Sequence, residues 1–173
     1  MNAKSLENLY QDTLTKLKEG QRPQIKLSLE LTALLKAHWT QSLHQVLCIL
    51  SHTQNTSAEF HDLLLQSFQE KNHEPETLIF LLGVSEKHII SHSLMTGNLP
   101  PHEFFEILKI LLRTKNPEVL EWTLRTIESM GPLNFRLQQD IRSARPGFRK
   151  IFNSHLRACD EIINLLEIQW KRM

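Results

Sequence analysis

Residues 104–131 constrain this chain more than any other stretch. Two apolar stripes at helical spacing flank the turn Lys115-Asn116-Pro117-Glu118, and Gly131-Pro132 closes the second. Phe104, Ile107, Leu108 and Leu111 form the first stripe, flanked by Phe105 and Leu112 on one side and Ile110 on the other. Val119, Leu120, Leu124, Ile127 and Met130 form the second. Apolar residues recurring three and four apart lie on one side of a helix. Proline suits the first helical position, where its missing N–H would have no partner, and glycine suits the exit. Two amphipathic helices joined by so short a turn bury their stripes by folding back on each other. The spacing predicts a helical hairpin, the unit of α-solenoids and irregular bundles.

The rest of the chain repeats this periodicity. Leu6, Leu9, Tyr10, Thr13, Leu14 and Leu17 predict a first helix that ends at Gly20. Pro23 predicts the start of a second, filled by Ile25, Leu29, Leu31, Leu34 and Leu35. Residues 40–52 predict a third, with Leu43, Val46, Leu47 and Leu50 on one face, and Thr56 or Ser57 caps a fourth. After the break at Lys71-Asn72-His73-Glu74-Pro75, residues 78–84 are apolar nearly all round. Such a helix is covered on most sides and belongs at the centre. Ser85 is expected to cap a short helix to Met95, and residues 133–145 to form another. The last helix is predicted over residues 148–173. Its seam is Phe148, Phe152, His155, Cys159, Ile162, Leu166, Gln169 and Met173, spaced alternately four and three apart.

Five glycines and one tyrosine among 173 residues disfavour a sheet-rich fold. A chain of this length buries about 70% of its unfolded surface and needs no covalent staples. The expectation is one all-α domain over residues 1–173, built of stacked antiparallel helix pairs with a long C-terminal helix. Cys48 and Cys159 are too few and too far apart for a disulfide framework, which fits a reducing compartment. Residues 1–20 carry no apolar signal-peptide core, and the run at 78–84 is far short of the ~20 apolar residues that span a bilayer. A cytoplasmic location with no membrane contact is expected.

One short echo supports stacking. Pro75-Glu76-Thr77-Leu78 matches Pro117-Glu118-Val119-Leu120 at an offset of 42, within the range of helical-pair repeats. Over residues 111–131 the chain resembles the HEAT/armadillo-like family of α-solenoid repeats. The residues that carry the resemblance are Leu111-Leu112, Asn116-Pro117-Glu118-Val119, Ile127 and Gly131. It departs from the family pattern at Thr114 or Lys115, where the turn aspartate is expected, and at Leu120, where an arginine is expected. Trp122 or Thr123 stands where small alanines are usual. The resemblance implies an α-α superhelix that binds proteins, occasionally nucleic acid, and it implies no catalytic residue.

Three groups of residues are candidate sites. Trp122 projects opposite Leu120 and Leu124, beside Glu118, Arg125 and Ser129, and an exposed tryptophan is a typical interface anchor. Trp122, Arg125 and Glu118 are the expected protein-binding residues, unless a neighbouring helix covers them. Arg142, Arg145, Arg149 and Lys150 surround Pro146-Gly147, flanked by Arg136 and Arg157, in a segment richer in cations than the rest. Residues 133–173 hold 8 Lys/Arg against 4 Asp/Glu, whereas residues 1–132 hold 12 against 15. An anion or a nucleic-acid backbone would suit that basic segment, residues 136–157. The plain alternative is a solvated surface, or pairing with acids of the same chain. The third group is His44, Cys48 and His52, with the pairs His88/His92 and His155/Cys159 at i, i+4 spacing. Nine histidines produce such pairs by chance, and no Cys-x-x-Cys or His-Glu-x-x-His is present. No metal site, cofactor or catalytic constellation is expected. The favoured reading is a non-enzymatic protein-interaction module, with nucleic-acid binding as the alternative. Homodimerisation through the C-terminal seam is a further option.

Overall fold

The structure is a computed structural model that describes residues 3–70 and 73–172, and the side chains of residues 3–5, 149 and 150 fall outside that description. Lys71 and Asn72 of the expected break and Met173 of the expected seam therefore lie outside the described residues. The described part is all-α, with one isolated parallel bridge between Ile25 and Thr53. The helices are α1 (Ala3–Lys18), α2 (Leu29–Ala37), α3 (Leu43–Ser51), α4 (His61–Gln69) and α5 (Pro75–Ser85). They are followed by α6 (His92–Met95), α7 (His102–Leu111), α8 (Pro117–Glu128), α9 (Gln138–Ser143) and α10 (Ser154–Trp170).

The hairpin forms where the sequence placed it. The Asn116 side chain accepts from the backbone N–H groups of Glu118 and Val119, both at 3.0 Å, and Pro117 takes the first helical position. Two of the donors left over at the helix start are satisfied in this way. Gly131 ends the unit in the left-handed region, at φ +57°, where a side chain would be strained. α7 lies against α8, and α4 lies against α5. α4 also packs on α7, and α5 on α8, so each member of one hairpin meets its counterpart in the next. Pro75 and Pro117 begin the second helices of these two hairpins, which gives the sequence echo equivalent places in the fold.

Helices in contact follow chain order along one row: α1 on α3, α3 on α5, α5 on α8 and α8 on α10. α5 occupies the middle, with Leu81, Leu82 and Val84 fully covered, as its all-round apolar sequence predicts. A single hydrophobic cluster reaches from Leu6 to Trp170. The two buried indoles inside it have polar partners. Trp39 donates to Ser67 Oγ at 2.8 Å and stacks on Phe60, and Trp170 donates to Asn134 Oδ1 at 2.7 Å. A buried N–H without an acceptor would cost about 1–3 kcal/mol.

Four segments differ from the expectation. Pro23 does not open a helix. Residues 23–28 are extended against the loop after α3, with Gln54 donating to Ile25 O at 2.7 Å and Leu27 donating to Asn55 Oδ1 at 2.8 Å. α2 begins only where Ser28 Oγ caps Leu31 N–H at 3.1 Å. Ser85 caps nothing. The helix continues through a π-helical turn, Glu86–Ser91, into α6, so residues 75–95 form one rod. Residues 133–145 are divided between a 3₁₀ stretch, Gly131–Leu137, and the short α9. Finally, α10 starts at Ser154, because the Asn153 side chain accepts from Leu156 N–H at 3.0 Å. Phe148–Phe152 is a 3₁₀ turn, and the first two expected seam residues, Phe148 and Phe152, are 76% and 82% exposed.

Candidate functional site

α8 packs on α5, on its hairpin partner α7 and on α10, and part of its surface stays uncovered where Trp122, Arg125 and Ser129 are exposed. A groove of about 670 Å³ lies there, lined by Glu86, Glu121, Trp122, Arg125, Glu128, Ser129 and His155. Leu120, Leu124 and Ile127 turn inward on α8, which forces Trp122, Arg125 and Ser129 outward by helical geometry. Trp122 is 38% exposed, so the neighbouring helices cover it only in part. Glu118 is exposed one turn before Trp122 and does not line the groove.

Glu121 organises the floor. Its side chain is only 12% exposed. Arg125 donates to Oε1 from Nε at 2.9 Å and from Nη2 at 2.6 Å, while His155 Nδ1 lies 2.7 Å from Oε2. Both oxygens are thus engaged, and the carboxylate ties α8 to the first turn of α10. Burial pushes this carboxyl up, but the hydrogen bonds from Arg125 and His155 outweigh it and hold it below the ordinary range. Glu121 is therefore an enclosed bridging carboxylate, not a solvated one. His155 likewise leaves the apolar seam for the groove, whereas Cys159 packs in the core as expected. Burial and the nearby Glu121 charge push the Cys159 thiol up to about 12, so it stays protonated and unreactive.

Glu86 and Glu128 differ from Glu121. Neither forms an ion pair or side-chain hydrogen bond with a described residue, and burial alone pushes the Glu86 carboxyl up. Glu86 comes from the first position of the π turn. Nothing in the linear sequence associates it with Trp122.

The basic segment is arranged otherwise. Arg145 donates to Asp160 Oδ1 and Asn164 Oδ1 at 2.8 Å and to Glu167 Oε2 at 3.0 Å. Arg142 donates to Glu167 Oε1 at 3.3 Å and lies over the Trp170 ring at 5.8 Å. Arg136 lies over Phe105 at 5.5 Å. Arg157 donates to the Ile151 carbonyl at 3.4 Å. The side chains of Arg149 and Lys150 lie outside the described residues. The structure brings Arg142 and Arg145, at the end of α9, together against acids of α10 and joins neither to the Trp122 groove.

The histidine pairs have structural partners. Ser57 N–H donates to His88 Nδ1 at 3.2 Å, so the ring proton sits on Nε2, which donates to Leu50 O at 3.2 Å. His92 Nδ1 meets Thr56 Oγ1 at 2.9 Å, and His61 Nε2 donates to the His88 carbonyl at 2.6 Å. Lys87 reaches the carbonyls of Ser51 and Thr53 at the end of α3. The π turn thereby grips the loop over residues 51–57. Burial pushes His88 down to about 4, so it is neutral near pH 7. His44 packs edge-on to Tyr10 and against Phe80, and His52 Nδ1 meets Cys48 O at 2.8 Å. Among the described residues no three His, Cys, Asp or Glu side chains gather to hold a metal ion. Among the same residues no helix is long and apolar enough to cross a membrane.

Compared with known proteins, the chain matches no protein-family model, no curated protein and no solved structure.

Proposed function

We propose that this chain is a non-enzymatic protein-interaction module and that the groove on α8 is its contact surface. The observation that carries this reading is Trp122, a large amphipathic side chain left 38% exposed at the edge of a groove between packed helices. Tryptophan and arginine dominate the energetic centres of interfaces. Arg125 sits one turn along and is held in place by Glu121, so little side-chain freedom remains to be lost on binding. The floor is fixed by the Glu121 bridge between α8 and α10, which suits recognition by a preformed surface. The paired stacking of α4–α5 on α7–α8 supports the HEAT-like superhelix as the scaffold, and such scaffolds present helix faces to partners.

Nucleic-acid binding through residues 136–157 draws less support, because Asp160 and Glu167 already neutralise Arg145 and Arg142. The test is affinity capture followed by calorimetry on the purified pair. A partner that binds the wild type and loses at least about tenfold in affinity toward a Trp122→Ala, Arg125→Ala double variant supports the groove. Equal affinity for both would place the contact elsewhere.

A further inference from the structure

The charges around the groove are unequal. Glu86, Glu121 and Glu128 line it, against the single guanidinium of Arg125. Arg125 directs Nε and Nη2 to Glu121, and His155 takes the other Glu121 oxygen, so that set is closed on itself. Glu86 and Glu128 remain with no cation opposite them among the described residues. Glu86 is half-buried, and withdrawing a carboxylate from water without a counter-charge is unfavourable. A cation arriving in the groove would relieve that cost.

Two further features favour a cation. α8 ends at Glu128 with Ser129 as its cap, so the last carbonyls of a three-turn helix give this end of the groove a partial negative charge. Trp122 offers the best aromatic face for a cation. An anion would meet two unpaired carboxylates and the negative end of a helix. An apolar side chain would leave Glu86 uncompensated.

We propose that the groove recognises a lysine or arginine side chain in a basic segment of a partner protein, held by Glu86 and Glu128 against Trp122. This rests on the reading of the groove as a protein-contact surface and adds the chemistry of the partner. The distal part of the segment lies along α8, where exposed Glu118 extends the acidic track by one turn toward the start of that helix.

The experiment measures binding of the full chain to three labelled peptides of one length, acetylated and amidated. They alternate glycine with arginine, glutamine or glutamate, and binding is read by fluorescence anisotropy. Variants are Trp122→Ala, the double isostere Glu86→Gln/Glu128→Gln, and Glu103→Gln on α7 as an exposed control. Glutamine preserves the side-chain shape at half-buried Glu86 and Glu128 and at exposed Glu103, and an unchanged thermal midpoint verifies the fold. The arginine peptide is expected to bind, to weaken as salt rises, and to lose about five- to tenfold in affinity in both groove variants but not in the control. Absence of arginine-peptide binding overturns the proposal, and so does binding that the Glu86/Glu128 variant leaves unchanged. If the glutamine or glutamate peptide binds instead, and Trp122→Ala abolishes that binding, the cation preference is wrong while the interaction role of the groove stands. If the arginine peptide depends on Glu86 and Glu128 but not on Trp122, the site as described here is wrong and the reading that rests on Trp122 falls with it.

Discussion

At the α9–α10 corner Arg145 reaches Asp160, Asn164 and Glu167, and Arg142 shares Glu167. At the groove, Glu86 of the π turn and Glu128 of α8 form no ion pair among the described residues. The corner lies in the segment with the excess of cations, yet its described arginines are occupied. The groove mixes both signs, yet its uncompensated charge is negative. Charge counted along a chain therefore does not locate charge available to a partner. Availability depends on which acids of neighbouring helices arrive opposite which bases, and that is a property of packing. Acids at the corner lock two helices together, and so does Glu121 at the groove, whereas Glu86 and Glu128 form no ion pair among the described residues.

Acid should have the largest effect on stability, and its main target, His88, lies in neither region, so it sets the background for the comparison. His88 titrates at about 4 in the fold against 6.5 unfolded. The unfolded chain takes up this proton first, so the stabilisation is complete above pH 6.5 and is lost as pH falls toward 4. The loss amounts to about 3 kcal/mol. Urea unfolding should show it between those values, and a His88→Gln variant should lose most of that slope. His61 is shifted down for the same reason and adds in the same direction. Glu121 acts in a lower window. Its stabilisation is present above its unfolded value of 4.5 and disappears as pH falls through its depressed folded value. A stability curve flat from pH 7 to pH 4 would break the assignment of His88 as a buried neutral side chain.

Within the comparison, Arg145→Ala should have the largest effect. It removes one cation from Asp160 and Glu167, which are 14% and 29% exposed, together with three side-chain hydrogen bonds, and should cost about 2 kcal/mol in urea unfolding without changing partner affinity. Glu121→Gln should cost about 1 kcal/mol and loosen the start of α10, visible as faster amide exchange after Asn153. Trp122→Ala should change stability by no more than about 0.5 kcal/mol while removing most binding. If Trp122→Ala proves as destabilising as Arg145→Ala, the groove is structural and the contrast fails.

The α7–α8 hairpin was legible because its signals are local: an apolar stripe, an Asn-Pro cap and a glycine exit. The orientation of Trp122 followed from the same stripe. The extended residues 23–28 were not legible, since their partners at 53–55 lie a whole helix pair away and Pro23 suits both a helix start and an edge. The π turn escaped because residues 78–84 before it are apolar nearly all round, which leaves no periodicity there to register a shift. Glu121 and Glu86 escaped for a different reason. Their roles depend on His155 and Trp122 arriving from other parts of the chain, and a carboxylate in a helix looks the same from the sequence whether it is solvated or enclosed.

The π turn also changes the phase of the rod over residues 75–95. Each residue advances an α-helix by about 100°, and one residue added to a turn rotates everything after it by that amount relative to an unbroken helix. Before the turn, residues 78–84 can face almost any direction, since nearly all are apolar. Within it, His88, Ile89 and Ile90 are buried, and after it Ser93 is buried while Leu94 and Met95 are exposed. The second half of the rod is thus written for the rotated setting, and the loop over residues 51–57 acts as the stop that holds it there. Removing a single residue from the turn would swing the histidines off that stop and point a different set of side chains at the α5–α8 boundary, where Glu86 enters the groove.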